Sequence, residues 1–140
     1  MRFKQGIREG SVRIITPDYI RAQSLFKSSL QAISSAKKIA LETDTLKSIL
    51  RELYEGLRQY CEAIGYQRGY KFSSHEVITL FLEEILSDSK IALRFDRYRK
   101  IRNGINYYGD DVSIETVKEA LVEMPSLIKN LEKYVKKIKN

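Results

Sequence analysis

Between positions 46 and 64 the apolar residues Leu46, Ile49, Leu50, Leu53, Leu57, Tyr60, Cys61 and Ile64 recur at steps of one, three and four. A helix of about 3.6 residues per turn brings such residues onto one face, and a face that wide must be buried against other elements. Related spacing returns in four further stretches. These carry Ala22, Phe26, Leu30, Ile33, Ala36 and Ala40; Val77, Ile78, Phe81, Leu82 and Ile85; Ile91, Phe95, Tyr98, Ile101 and Ile105; and Val117, Leu121, Met124, Ile128, Leu131, Val135 and Ile138. Two prolines and seven glycines in 140 residues are too few for a turn-rich all-β design. The length suits one domain with one core, and 43% hydrophobic with 31% charged residues is the balance of a globular chain. The pattern predicts an all-α, antiparallel up-and-down bundle of four to five helices over residues 17–140, preceded by a short extended arm over residues 1–16.

Local signals place the joints. Thr16-Pro17-Asp18 starts the first long helix, which should end near Leu41. Thr43 or Asp44 caps the second, and Gly65 reads as its stop. Two long helices joined by a short polar link should lie antiparallel. Residues 66–72 read as a loop whose mixture of basic and aromatic side chains either stacks bases and holds phosphates or simply anchors the loop. Ser73 and Glu76 stand at capping-box spacing before the third helix. A basic helix begins near Lys90 and ends at Gly109, and Ser113 caps the last helix, which Pro125 should kink or split. The β-branched residues of 11–16 suit an extended arm. With no second strand nearby in sequence, that arm is expected to pack on the domain or on a second subunit.

Bulk properties exclude several function classes. A net charge of +7 with a pI near 9.5 permits nucleic-acid partners without requiring them. A single cysteine, Cys61, allows no intrachain disulfide, which favours a cytoplasmic setting; its place in the helical stripe reads as structural. No apolar run approaches the roughly 20 residues of a membrane span, and no secretory signal is visible at the N-terminus. His75 is the only histidine, and without metal-ligand spacing neither a metal nor another cofactor is expected. In the first turn of its helix, this ring is by default neutral and partly exposed. The lysines from 133 to 139 complement a helix C-terminus and read as solvated.

The densest positive charge lies in residues 94–109. Stepping 100° per residue puts Arg102 near the middle of the apolar stripe of the basic helix, not on its watery face. Arg99, Arg102, Asn103 and Asn106 form the neighbouring ridge. A buried, unpaired charge costs several kcal/mol, so Arg102 needs a partner. That partner is either structural, at helix ends, or an anion such as a phosphate.

These residues carry a resemblance. Tyr54-Glu55-Gly56-Leu57-Arg58, Gly69-Tyr70-Lys71 leading to Ser74-His75-Glu76, and above all the block from Arg99 to Gly109 (RKIRNGINYYG), followed by an amphipathic helix, resemble small stand-alone HEPN domains (higher-eukaryote and prokaryote nucleotide-binding). The resemblance implies a helical bundle that forms a homodimer with the motif helices across a shared cleft. Many HEPN proteins are metal-independent ribonucleases that use an arginine, four to six intervening residues and a histidine. The arginine steadies phosphate charge while the histidine moves protons. Others are toxins paired with a small nucleotidyltransferase antitoxin, or nucleotide-binding accessories.

Carried over, Arg102 matches the motif arginine and Asn103 the polar residue after it, while the histidine position holds Tyr107. An ordinary phenol, with a pKa near 10, is a poor base at neutral pH. Asn106 could orient a phosphate but not move a proton. In the paired toxins the modified tyrosine lies two residues beyond the histidine, here Gly109, so Tyr107 and Tyr108 are the nearest candidates. The implied function is an RNA- or nucleotide-binding protein of weak or no catalysis, built on Arg102 and Tyr107 with Arg99, Asn103, Asn106, Tyr108 and His75 around them. The rivals are an active ribonuclease using Tyr107 or His75, and a purely structural dimerising bundle.

Overall fold

The computed structural model describes residues 2–137. Six α-helices occur among them: α1 (Phe3–Glu9), α2 (Tyr19–Lys38), α3 (Leu46–Gln67), α4 (His75–Leu80), α5 (Ser89–Tyr108) and α6 (Ile114–Leu131). Two three-residue strands, β1 (Val12–Ile14) and β2 (Tyr70–Phe72), pair with one another beside the helices. The last helix, expected to run through Val135 to Ile138, ends at Leu131; a 3₁₀ turn over Glu132–Tyr134 follows and Val135 is extended, while Ile138 lies outside the described residues. Among the described residues, no helix is long and apolar enough to cross a membrane.

Helix α3 is the axis of the molecule. Its Leu50, Leu53, Leu57, Cys61 and Ile64 are fully buried, as an apolar helix face inside a bundle must be. One side meets α2 in antiparallel fashion: Phe26 packs edge-on against Tyr60 with ring centroids 4.7 Å apart, and the Ser29 hydroxyl donates to the Gly56 carbonyl at 2.5 Å. Another side takes α5, where Phe95 lies 5.7 Å from the ring of Tyr54. Helix α6 closes the bundle with Val117, Ala120, Met124, Ile128 and Leu131 buried. Pro125 does not split it; the helix runs unbroken from Ile114 to Leu131.

Caps explain most boundaries. The side chains of Asp18, Ser74, Asp88 and Ser113 each accept a backbone N–H from the first turn that follows. The cap of α4 is therefore Ser74, one residue beyond the expected Ser73. Before α3, Glu42 and Thr45 form a reciprocal capping box around a short 3₁₀ turn, displacing Thr43 and Asp44 from that role.

The N-terminal region corrects the expectation most. Its extended stretch is present as β1, but Phe3–Glu9 ahead of it is helical. The strand does find a partner: Val12, Arg13 and Ile14 pair antiparallel with Phe72, Lys71 and Tyr70, so the region read as a loop is half of a ladder closed from afar. Phe3 packs on Tyr70 and Phe81, which fixes the segment to the domain. Gly65 is not a stop. The Phe72 ring lies so close that a β-carbon there would meet it at 2.5 Å, and α3 continues past it to Gln67. The left-handed backbone falls instead at Gly69, with φ of 84°.

Candidate functional site

A cleft of about 370 Å³ opens between the start of α4 and the C-terminal half of α5. It is lined by Ser73, Ser74, His75 and Glu76 from one side and by Arg99, Arg102, Asn103 and Tyr107 from the other. The chain forms it because α3, α4 and α5 fold back on one another. The buried face of α5 (Phe95, Tyr98, Ile105) seats that helix on the core and leaves Arg102 half-buried at the seam.

Arg102 is held by weak contacts. Its guanidinium carbon stands 5.6 Å from the centre of the Tyr54 ring and 6.0 Å from that of Tyr107, both within cation–π range. Its Nη1 donates to Asn103 Oδ1 at 3.0 Å. Among the described residues no carboxylate stands within ion-pair distance of it, although Glu76 shares the cleft. A structural arginine would be saturated by carboxylates and carbonyls; this one keeps most of its donors free. Arg99 differs. It donates to Asp96 at 2.8 Å, and Asp96 also accepts from Thr79 at 3.0 Å and pairs with Lys100 at 3.1 Å. Burial works against ionisation of Asp96, but the bonds from Arg99, Lys100 and Thr79 hold its carboxyl below the usual range. Most of the charge of Arg99 is thus already spoken for.

His75 lies on the same cleft as Arg102, within one protomer. Its Nδ1 is 3.0 Å from the hydroxyl of Tyr54. Burial, then the charges of Arg58 and Arg102, push the imidazole down to about 4, so it is neutral at pH 7. Burial pushes the Tyr54 phenol up, against the pull of Arg102. Arg58 is itself pinned on α3 by Glu55 and Glu62. Neither Tyr54 nor Arg58 is readable from sequence as part of a site, since both belong to the long helix that forms the core and only the return of α4 brings His75 over them.

Two expected residues stand elsewhere. The Asn106 carboxamide accepts from Arg51 Nε at 2.7 Å, which ties α5 to α3 and takes that side chain out of the cleft. Tyr108 is 81% exposed and does not line the cleft, whereas Tyr107, 70% exposed, does. A helical ridge spans more than one surface, so sharing a ridge with Arg102 does not place Asn106 beside a common ligand.

A larger depression of about 680 Å³ runs between α5 and α6 past Leu93, Arg97, Ile101 and Glu119. Its arginines are satisfied: Arg97 pairs with Glu119 at 3.1 Å and Arg94 with Glu123 at 3.3 Å. Unlike Arg102, each of these arginines already has a carboxylate beside it. Among the described residues no three His, Cys, Asp or Glu side chains gather as a metal ion would need. Cys61 is fully buried and burial pushes its thiol up, so it is a packing residue. No family model matches the chain, and no curated protein or solved structure matches it significantly.

Proposed function

We propose that this chain is a HEPN-type protein that binds RNA or a nucleotide by its phosphate in the α4–α5 cleft, with little or no cleavage activity. The observation that carries the reading is Arg102: half-buried, aimed into a cleft, and without a carboxylate partner among the described residues. A guanidinium in that state matches a phosphate oxygen pair in charge and geometry. The Asn103 amide, the hydroxyls of Ser73 and Ser74 and the imidazole of His75 add neutral polar groups around it. In this reading the protein is a homodimer whose motif helices face a shared cleft, and it works beside a small nucleotidyltransferase. The exposed Tyr107 and Tyr108 rings at the end of α5 suit either a subunit contact or a stacked base.

Arg102→Ala should weaken binding of a short oligoribonucleotide by at least about tenfold, the scale of one charge-assisted hydrogen bond. Lys136→Ala, an exposed lysine remote in sequence from the motif, should change it less than twofold. Equal losses from the two changes would mean non-specific attraction only.

A second reading is favoured by one observation. His75 shares the cleft with Arg102, which is the arrangement that an active metal-independent ribonuclease lacking the motif histidine would need. Cleavage by the natural protein that is abolished by His75→Ala and indifferent to chelators would establish that reading.

A further inference from the structure

We infer that Tyr54 is a positioning residue of this cleft, holding the His75 imidazole in its Nε2–H form so that the ring donates a hydrogen bond to a bound phosphate oxygen. The inference rests on the phosphate-binding reading for its ligand, but its first half concerns the protein alone. Tyr54 is 1% exposed and its ring is fixed on three sides, by Phe95, by His75 and by the guanidinium of Arg102. Its hydroxyl proton needs an acceptor, because an unpaired buried donor is costly. Among the described residues the partner within reach is Nδ1 of His75, at 3.0 Å.

That geometry decides the tautomer. If Nδ1 carried the proton, the phenol hydrogen and the ring N–H would compete, and the phenol would keep a proton with no acceptor. With Tyr54 donating, Nδ1 is a bare acceptor and the ring proton sits on Nε2. The alternative of a charged imidazolium is opposed by burial and by the guanidinium groups of Arg58, Arg102 and Arg99, while Glu55 pulls the other way. The nitrogen left for a ligand is therefore a donor. It cannot accept the 2′-hydroxyl proton, because the acceptor nitrogen is occupied by Tyr54. The cleft then offers an anion a guanidinium, an amide and an imidazole N–H, against the one carboxylate of Glu76, and its imidazole has no free acceptor nitrogen. That combination fits retention of a phosphate group better than its transfer.

His75 is the chain's only histidine, so protein labelled with nitrogen-15 at histidine reports one ring. At pH 7 in phosphate-free buffer the natural protein should show Nε2 protonated and Nδ1 bare. A protonated Nδ1 would overturn the proposal without any variant. In Tyr54→Phe, which keeps the ring and removes the hydroxyl, the Nε2–H form should lose its exclusivity. Affinity for a 5′-phosphorylated oligoribonucleotide should fall about three- to tenfold, the worth of one oriented hydrogen bond. Arg102→Ala should lose binding while the tautomer stays as it is, so the positioning role and the binding reading are measured separately. An unchanged tautomer and unchanged affinity in Tyr54→Phe would overturn the positioning role. A tautomer that shifts as expected, in a protein whose Nε2 resonance ignores both inorganic phosphate and the oligonucleotide, would overturn the donor role.

Discussion

Removing an imidazole at position 75 and adding one at position 107 test opposite halves of the same cleft. Tyr107 is 70% exposed and its ring lies 6.0 Å from the Arg102 guanidinium, so Tyr107→His places a titratable ring near the proposed phosphate site at a cost of about 1 kcal/mol or less in stability. With an unperturbed value near 6.5 such a ring both takes and returns a proton at neutral pH. The natural protein should show little or no RNA cleavage near pH 7. Tyr107→His should gain measurable metal-independent cleavage that disappears in the double change with Arg102→Ala. Cleavage by the natural protein that survives Tyr107→Phe would place the chemistry at His75. His75 also leaves a mark on stability. Because its folded value is held down from 6.5 to about 4, the unfolded chain takes up the proton first as pH falls. Its contribution is complete above about 6.5 and is lost progressively towards about 4. After allowance for partial exposure, thermal denaturation should report a loss of about 1–2 kcal/mol across that window, absent in His75→Gln. Arg102 is legible from helical stepping alone, because a seam position on an amphipathic helix is a geometric property of sequence. Its nearness to His75 and Tyr54 is not, since three helices must fold back before those residues meet.

At the scale of elements, the stripe periodicity locates α2, α3, α4, α5 and α6, and caps set by Asp18, Asp88 and Ser113 fix where three of them start, but it carries the last helix past its observed end at Leu131. What escapes is pairing at a distance. The ladder of β1 with β2 joins the start of the chain to its middle, and neither three-residue strand carries a pattern strong enough to announce itself. Gly65 misleads for a related reason: a glycine beside an aromatic ring from another element looks, in sequence, like a glycine at a helix end. The α2–α3 contact depends on the same kind of close approach. A β-carbon at Gly56 would come within 2.9 Å of Ile33 and 3.0 Å of the Ser29 carbonyl. Gly56→Ala should therefore destabilise the fold by about 1–3 kcal/mol despite its better helix propensity. A denaturant midpoint equal to or above that of the natural protein would show that the two helices have room to separate. The C-terminal segment is held differently: the buried Gln67 side chain donates to the Lys136 carbonyl at 3.0 Å and accepts its N–H at 2.8 Å.

On the scale of the whole molecule, the bundle is a scaffold that sets α4 and α5 at a fixed separation, with charge concentrated where they meet. The homodimer is the assembly that the proposed function implies, with an isologous interface that includes α5. Light scattering should give twice the mass of the 16.3 kDa chain at micromolar concentration, and a concentration-independent monomer would remove the shared cleft from the account. The central claim is narrower: Arg102 meets phosphate in a defined cleft, beyond the general attraction of a chain with net charge +7. Its most direct test is the salt dependence of oligoribonucleotide affinity, followed by fluorescence anisotropy for the natural protein, Arg102→Ala and Lys136→Ala. Removing one cation that touches a phosphate should make the slope of log affinity against log salt shallower by roughly one. That change is expected for Arg102→Ala together with a lower affinity at every salt concentration, and an unchanged slope for Lys136→Ala. Slopes that are the same for all three proteins would contradict the claim.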